Sequence, residues 1–413
     1  MRIAISNPSK QYTHQTVAAL VNHKEYQVYF LTSFWYTPKT RRWHRLLTKI
    51  PGGKQIIKKS SAVVPDEIVI MHWSGIFFSF FGRFVYKGEK RSFIEDKIHD
   101  KWTTKWVKKN KPDIFIGYEK SCLNAFKSVK QYSGKTILDL AQVHPKFIVD
   151  LRNNFDFFKN ITGDIALFNA VTQKKMDEYS VADHIITLSS FAKQTLTDNG
   201  ISPDKISQVT LGFNPQSFKQ KQHYSKNTSN PLKLIFCGTV IPRKGLNLLF
   251  DLMRNDFKDL NIELKIVGPI GEGIALSQFL NEGTRISYHS YLQQDELAKQ
   301  LYEADVFTFP SYLDSWAMVV IEAMAVGLPV IITQNTGAKD AVSSSTGFVI
   351  DVNDKEILKE KILHFYTDRT LIEAKGRAAA ESVKNYTWIN YYYQINTVIQ
   401  SLILKECLIM NNR

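Results

Sequence analysis

The sequence predicts an α/β chain built as two doubly wound domains that face each other across a cleft. Three observations carry this. The chain has 413 residues, more than one ordinary hydrophobic core accommodates, so two domains of about 200 residues are expected. Short β-branched or aromatic runs alternate with segments of helical period through both halves, the pattern of parallel sheets covered on both faces. A polar, aperiodic stretch bounded by proline, NPQSFKQKQHYSKNTSNP (214–231), separates the halves and reads as a linker.

The elements follow in order. In the first half the strands read RIAIS (2–6), YQVYFLT (26–32), DEIVIM (66–71), DIFIG (113–117), TILDLA (136–141), HIITLS (184–189) and SQVTLG (207–212). In the second they read LKLIFCG (232–238), IELKIVG (262–268), RISYHS (285–290), VFTFP (306–310), PVIIT (329–333) and FVID (348–351). Between them lie helices such as LNLLFDLMRN, DELAKQLYEA and KEILKEKILHFY, apolar at three- and four-residue spacing. The expected domains are 1–213 and 214–385, with 386–413 as a closing segment. Ligands of such sheets bind beyond the carboxyl ends of the strands, so the interdomain cleft is the expected site.

Composition excludes several classes. Cys122, Cys237 and Cys407 have no short spacing, which rules out a disulfide framework or zinc knuckle and suits a reducing cytoplasm. The start, MRIAISNPSK, reads as a first strand and not a signal peptide. The most apolar stretch, IVIMHWSGIFFSFFG (68–82), is short of the roughly 18–20 residues that span a bilayer. It divides into a buried strand (68–71) and a helix opened by Ser74.

The net charge is +14. Residues 1–200 hold 31 Lys and Arg against 17 Asp and Glu, and the remainder is balanced at 22 each. The densest stretch, Pro38 to Lys59, has eight Lys or Arg and no acid. It reads as a solvated loop or as a face for an anionic partner. Trp35, Tyr36 and Trp43 favour a membrane surface contacted through 35–59, since amphipathic rings suit the lipid interface. Nucleic acid is not expected.

Several motifs fail. SGKT (133–136) lacks the upstream glycine of a phosphate loop and runs into a strand, and GPIGEG (268–273) has the wrong spacing for a dinucleotide fingerprint. No Asp-x-Asp, clustered His and Cys, or G-x-S-x-G occurs, so neither a metal site nor a nucleophile elbow is expected. What survives is a set of strand-to-helix turns in the second half. FCGTVIPRKGLNLLF (236–250) offers Gly238 and Thr239, then Arg243, Lys244 and Gly245 before a helix, where two cations suit a diphosphate. IVGPIGEG offers Gly268 for a base or ribose to lie against. FPSYLDSWAMVVIEAMA places Asp314 ahead of a helix expected from about Ser315, with amides at Trp316, Ala317 and Met318. Glu322 stands eight residues on, and about 100° per residue returns it nearly to the side of Asp314. QNTGAKD (334–340) adds a turn at Thr336 and Gly337.

In this order the turns strongly resemble the retaining glycosyltransferases of the GT-B fold, the large group 1 (glycosyltransferase family 4-like) family, densely from Gly212 to Leu358. The resemblance implies that Asp314 and Glu322 fill the family's Glu-x7-Glu motif, the first acid contacting the donor sugar and the second the ribose. It implies that Lys244 holds the diphosphate and that His144, in LDLAQVHP, faces the donor sugar. It places SNPSKQYTHQTVAAL (6–20), with Lys10, Gln11 and His14, near the acceptor. It makes VADHIITLSSFAKQTL the end of the first domain and the last segment, 386–413, a helix that packs back on that domain.

Three departures stand out: Thr239 where the family has Arg, with Arg243 four residues along; Asp314 one methylene shorter than Glu; and Asn-Pro-Ser-Lys in place of a glycine-rich first loop. The activity implied is transfer of a hexosyl unit, with retention and without metal or cofactor, from a UDP- or GDP-linked sugar to a glycan or to a lipid-linked or phosphorylated acceptor. The pathway implied is bacterial surface polysaccharide synthesis, such as lipopolysaccharide or capsule, on the cytoplasmic side of the plasma membrane. A non-catalytic sugar-nucleotide-binding partner and a nucleotide-sugar epimerase stand as alternatives on the same fold.

Overall fold

The structure is a computed structural model that describes residues 1–37, 61–72, 88–161, 164–271 and 285–411, with scattered positions between them. Thirteen strands form two parallel sheets among the described residues. The first holds β1 (Arg2–Ser6), β2 (Gln27–Thr32), β3 (Val69–Met71), β4 (Ile114–Tyr118), β5 (Lys135–Leu140), β6 (His184–Thr187) and β7 (Ile206–Gln208), in the order β3-β2-β1-β4-β5-β6-β7. The second holds β8 (Leu232–Cys237), β9 (Ile262–Val267), β10 (Ile286–His289), β11 (Val306–Phe309), β12 (Val330–Thr333) and β13 (Gly347–Ile350), in the order β10-β9-β8-β11-β12-β13. Each order reverses once, between β1 and β4 and between β8 and β11, leaving a crevice at each reversal.

Alternation along the strands explains the burial. Ile3 and Ile5 join one core and Ala4 another, and Ile114 and Ile116 oppose Phe115 in the same way, because side chains of a strand point to opposite faces in turn. Helices cover both faces, so the central strands are mostly apolar.

Two expectations change here. The strand within 68–71 begins only at Val69, after a 3-10 turn at Asp66–Ile68, and it is half-buried, because β3 is the edge of the sheet. Much of the segment after it lies outside the described residues, as does nearly all of the basic stretch 38–59. Trp35, however, is described: it is 1% exposed and sits edge-on to Phe30 at 5.2 Å. It packs in the core and is not available to a membrane. No helix among the described residues is long and apolar enough to cross one.

The two sheets are joined at several points. Ser189 Oγ donates to the Ser315 carbonyl (2.8 Å), and Ser315 Oγ donates to the Ala141 carbonyl (2.5 Å). Asp340 accepts the Ser190 amide (2.7 Å) and the Gln208 side chain (2.9 Å), serving as an acidic cap from the other domain. The final helix, Trp388–Asn411, returns to the helix Thr13–Val21: Thr16 Oγ1 and Tyr391 Oη lie 2.8 Å apart, and Asn396 Nδ2 donates to the Ala19 carbonyl at 2.8 Å.

Candidate active site

The second sheet's crevice is built by the turns after β8 and β11. After Cys237, Gly238 adopts φ 150°, and a Cβ there would meet nothing closer than 3.5 Å. The turn Pro242–Lys244 then closes on Gly245, φ 74°, where a Cβ would fall 1.9 Å from the Pro310 carbonyl oxygen. Only glycine fits that left-handed position against backbone. It locks the lysine turn onto the end of β11.

Beyond β11 the chain runs through Asp314 to the helix Met318–Val326. The helix begins at Met318 and not near Ser315, because Ala317 takes φ 64° as the residue preceding it. A left-handed alanine costs about 1–2 kcal/mol, and such strain recurs at functional sites. Asp314 therefore precedes the helix, and helical periodicity is not what orients it. Backbone pairing does: the Asp314 amide donates to Asn335 O (2.9 Å), while Gly337 and Ala338 amides donate to Asp314 O (2.8 Å) and Trp316 O (2.7 Å). Gly337 is required here too, a Cβ falling 2.0 Å from Ser315 O.

An interdomain cavity of about 830 Å3 lies over this crevice. Its wall includes Gly238, Thr239, Arg243, Lys244 and the run Asp314 to Val319 from the second domain. Gln11 and His14 line it from the first. The structure thus gathers most of the residues picked out in the sequence.

The electrostatics are those of an anion site held closed by its own acid. Lys244 Nζ pairs with Asp314 Oδ2, and Arg243 donates to the Leu313 carbonyl. Burial opposes ionisation of Asp314, but Lys244, Arg243 and the Trp316 amide (3.1 Å to Oδ1) outweigh it and hold the carboxyl below its usual range. Burial lowers Lys244 and Arg243, opposed in both by Asp314. The first residues of the Met318 helix line the same space, and amides at a helix start attract phosphate.

Four predicted residues stand outside this wall. Glu322 is 7% exposed, behind the lining, and burial pushes its carboxyl up to about 7. Gly268, φ 144°, packs against Gly238, whose carbonyl oxygen a Cβ would meet at 2.0 Å. It brings the two glycine turns together instead of facing the cavity. His144 is fully buried; its Nδ1 accepts the Lys146 amide at 3.3 Å at the start of the helix Pro145–Asn154. It acts as a helix cap, with its ring 5.6 Å from Tyr179, and burial lowers it to about 4. Lys10 is absent from the wall, and burial lowers its pKa.

Sequence reading missed Gln294, Gln15, Asn214 and Trp388, which also line the cavity. Gln294 had a signal, since Glu296 accepts the Gln293 amide at 3.2 Å in a capping-box arrangement that marks the helix start. Gln15 adjoins His14 in the stretch 6–20 already singled out, whereas Asn214 and Trp388 come from distant segments with no local pattern.

Residues 218–382 match the sequence model of the glycosyl transferases group 1. This stretch of the chain is similar to that group. Among relatives, sulfoquinovosyl transferase SQD2 of Arabidopsis thaliana is 30% identical over 182 residues, 43% of this chain and 35% of that protein. The capsular polysaccharide biosynthesis glycosyltransferase CapM of Staphylococcus aureus is 24% identical over 51% of this chain and 59% of its own length. The matched stretch thus spans about a third and three fifths of these relatives. The fold resembles sucrose-phosphate synthase of Thermosynechococcus elongatus, with a TM-score of 0.72 at 16% identity over 98% of this chain and all of that one. The paired parallel sheets are the GT-B arrangement. The turns after β8 and β11 lie within the matched residues.

Proposed function

We propose that the protein moves a hexosyl unit from a nucleoside-diphosphate sugar, UDP- or GDP-linked, to a glycan or lipid-linked acceptor, with retention and without a metal. The observation that carries this reading is the Lys244–Asp314 pair at the mouth of the Met318 helix. Phosphate oxygens take the place of Asp314 on Lys244, Arg243 adds charge, and the helix amides complete the grip. As the bond from the sugar's anomeric carbon to the diphosphate breaks, charge grows on the leaving oxygens, where these donors already stand. The acceptor hydroxyl forms the new bond on the same face and passes its proton to the departing diphosphate.

Freed from Lys244, Asp314 turns to the donor sugar. Glu322, about one turn into the cavity's helix, is assigned to the ribose through a small opening of the lining. His144 follows the cavity-lining Ala141 closely in the chain on the first-domain side, and contact with the sugar requires its cap to loosen. Relatives such as CapM, named for capsular polysaccharide biosynthesis, support a place in bacterial surface polysaccharide synthesis at the cytoplasmic face of the plasma membrane. The basic stretch 38–59 supplies the membrane contact, without Trp35.

The test is incubation with radiolabelled UDP- and GDP-sugars in EDTA, with acceptor lipids or glycans from a bacterial envelope. Transfer with the anomeric configuration kept is expected. Binding without turnover in EDTA, restored by magnesium, contradicts the metal-independent reading, and a lack of transfer under any condition contradicts the transferase.

A further inference from the structure

The first sheet has its own crevice where the strand order reverses between β1 and β4, the position at which such sheets bind ligands. A second cavity of about 320 Å3 lies there and shares Gln11 and Ala141 with the interdomain cavity. Its described wall carries Glu89, Glu95, Asp96, Glu119 and Asp139 against only Lys120 and Lys175. Both lysines are engaged: Lys175 Nζ lies 2.8 Å from Glu119, and Lys120 Nζ lies 3.6 Å from Asp96. The described wall is therefore acidic, although the first half of the chain is strongly basic overall.

The cavity is held in shape. Glu178, itself buried, accepts the Lys120 and Cys122 amides at 2.7 and 3.0 Å and fixes the loop after β4. Asp100, buried on the helix Gly88–Asn110, accepts the Asn124 and Ala125 amides at 3.1 Å each and fixes the start of the next helix. Asp139, at the end of β5, is 1% exposed. Its Oδ1 accepts the Tyr12 hydroxyl at 2.6 Å, and the nearby Tyr118 and Thr16 hydroxyls also favour its ionised form, while Oδ2 is buried and makes no well-formed hydrogen bond among the described residues. A buried carboxylate oxygen in that state calls for a donor, and a sugar hydroxyl is one.

We propose that this cavity receives the end of the acceptor and selects a sugar free of phosphate and carboxylate, either neutral or amine-bearing, with Asp139 Oδ2 accepting one of its hydroxyls. The inference rests on the transferase reading and narrows it: a phosphorylated acceptor end, which total charge suggested, meets like charge here. Burial raises Asp96 and Asp139 to about 6, so both are largely ionised at pH 7.5.

The test is ligand-observed NMR titration of the full chain with methyl α-glucoside, glucosamine and glucose 6-phosphate at pH 7.5, with a parallel calorimetric titration of UDP and GDP. The first two probes should bind at least about tenfold more tightly than the third, as expected for like-charge discrimination. Asp139→Asn, close in shape, should weaken both by about tenfold, the loss expected for a hydrogen bond to a charged group. Glu89→Lys, on an exposed position, should improve binding of the phosphorylated probe. Equal or tighter binding of glucose 6-phosphate, no effect of Asp139→Asn, or no binding of any probe overturns the inference. If UDP and GDP still bind in that case, the failure belongs to this cavity alone; if they do not, it belongs to the transferase reading.

Discussion

At the scale of single residues, Lys244 and Glu322 make opposite demands. Burial lowers Lys244 and Asp314 opposes that only in part; in the proposed function Lys244 holds the diphosphate. Lys244→Ala should weaken UDP or GDP binding by about 1.5–3 kcal/mol, the usual worth of a hydrogen bond to a charged group, read by calorimetry. Glu322 titrates near 7 in the fold against 4.5 for its ordinary value. Its raised pKa means that the folded state binds the proton more tightly. The stability it adds is therefore full below pH 4.5 and is lost as pH rises through about 7. Glu322→Gln should remove that loss, so that melting temperatures at pH 5 and pH 8 differ less in the variant. The effect should be of order 1–3 kcal/mol. An unchanged difference contradicts the burial argument.

Turn glycines carry the argument at the scale of elements. Gly245 and Gly200 both have left-handed φ, 74° and 84°. A Cβ at Gly245 would strike Pro310 O at 1.9 Å, whereas one at Gly200 meets nothing within 4 Å. Gly200→Ala should cost about 1–2 kcal/mol from backbone strain alone, and Gly245→Ala clearly more, with lost nucleotide affinity as the lysine turn shifts. Equal costs in chemical denaturation contradict the claim that this turn is locked by backbone contact. Elements are also where the sequence was most legible. All thirteen expected strands occur, because runs such as RIAIS and LKLIFC carry their burial in local pattern. The helix start near Ser315 was misplaced, since a left-handed alanine at 317 has no sequence signature. Arg243, Lys244 and Asp314 were legible as members of turns; the ion pair between the last two depends on β8 and β11 being neighbours, which strand order alone reveals.

In the whole molecule, the two sheets are bridged by polar contacts, by the final helix, and by Tyr312 packed against Phe155 and Phe157 at 4.9 and 4.6 Å. Asp340 links the domains through Ser190 and Gln208. Asp340→Ala should lower stability by about 1 kcal/mol, the usual worth of an acid at a helix start. It should also raise the radius of gyration of the unliganded chain in X-ray scattering, and an unchanged radius contradicts its bridging role. At this scale the sequence was least informative. The acidic cavity of the first domain draws on segments near residues 8, 90, 119, 139 and 175, so no local stretch announces it, and overall charge pointed the other way. Trp35 misled for the same reason, its burial against Phe30 being a tertiary fact.

A crystal structure with UDP or GDP locates the nucleoside diphosphate. Phosphate oxygens are expected within hydrogen-bond reach of Lys244 Nζ and of the amides at Met318 and Val319, with the Lys244–Asp314 pair broken. Phosphates lodged elsewhere, with that pair intact, contradict that expectation.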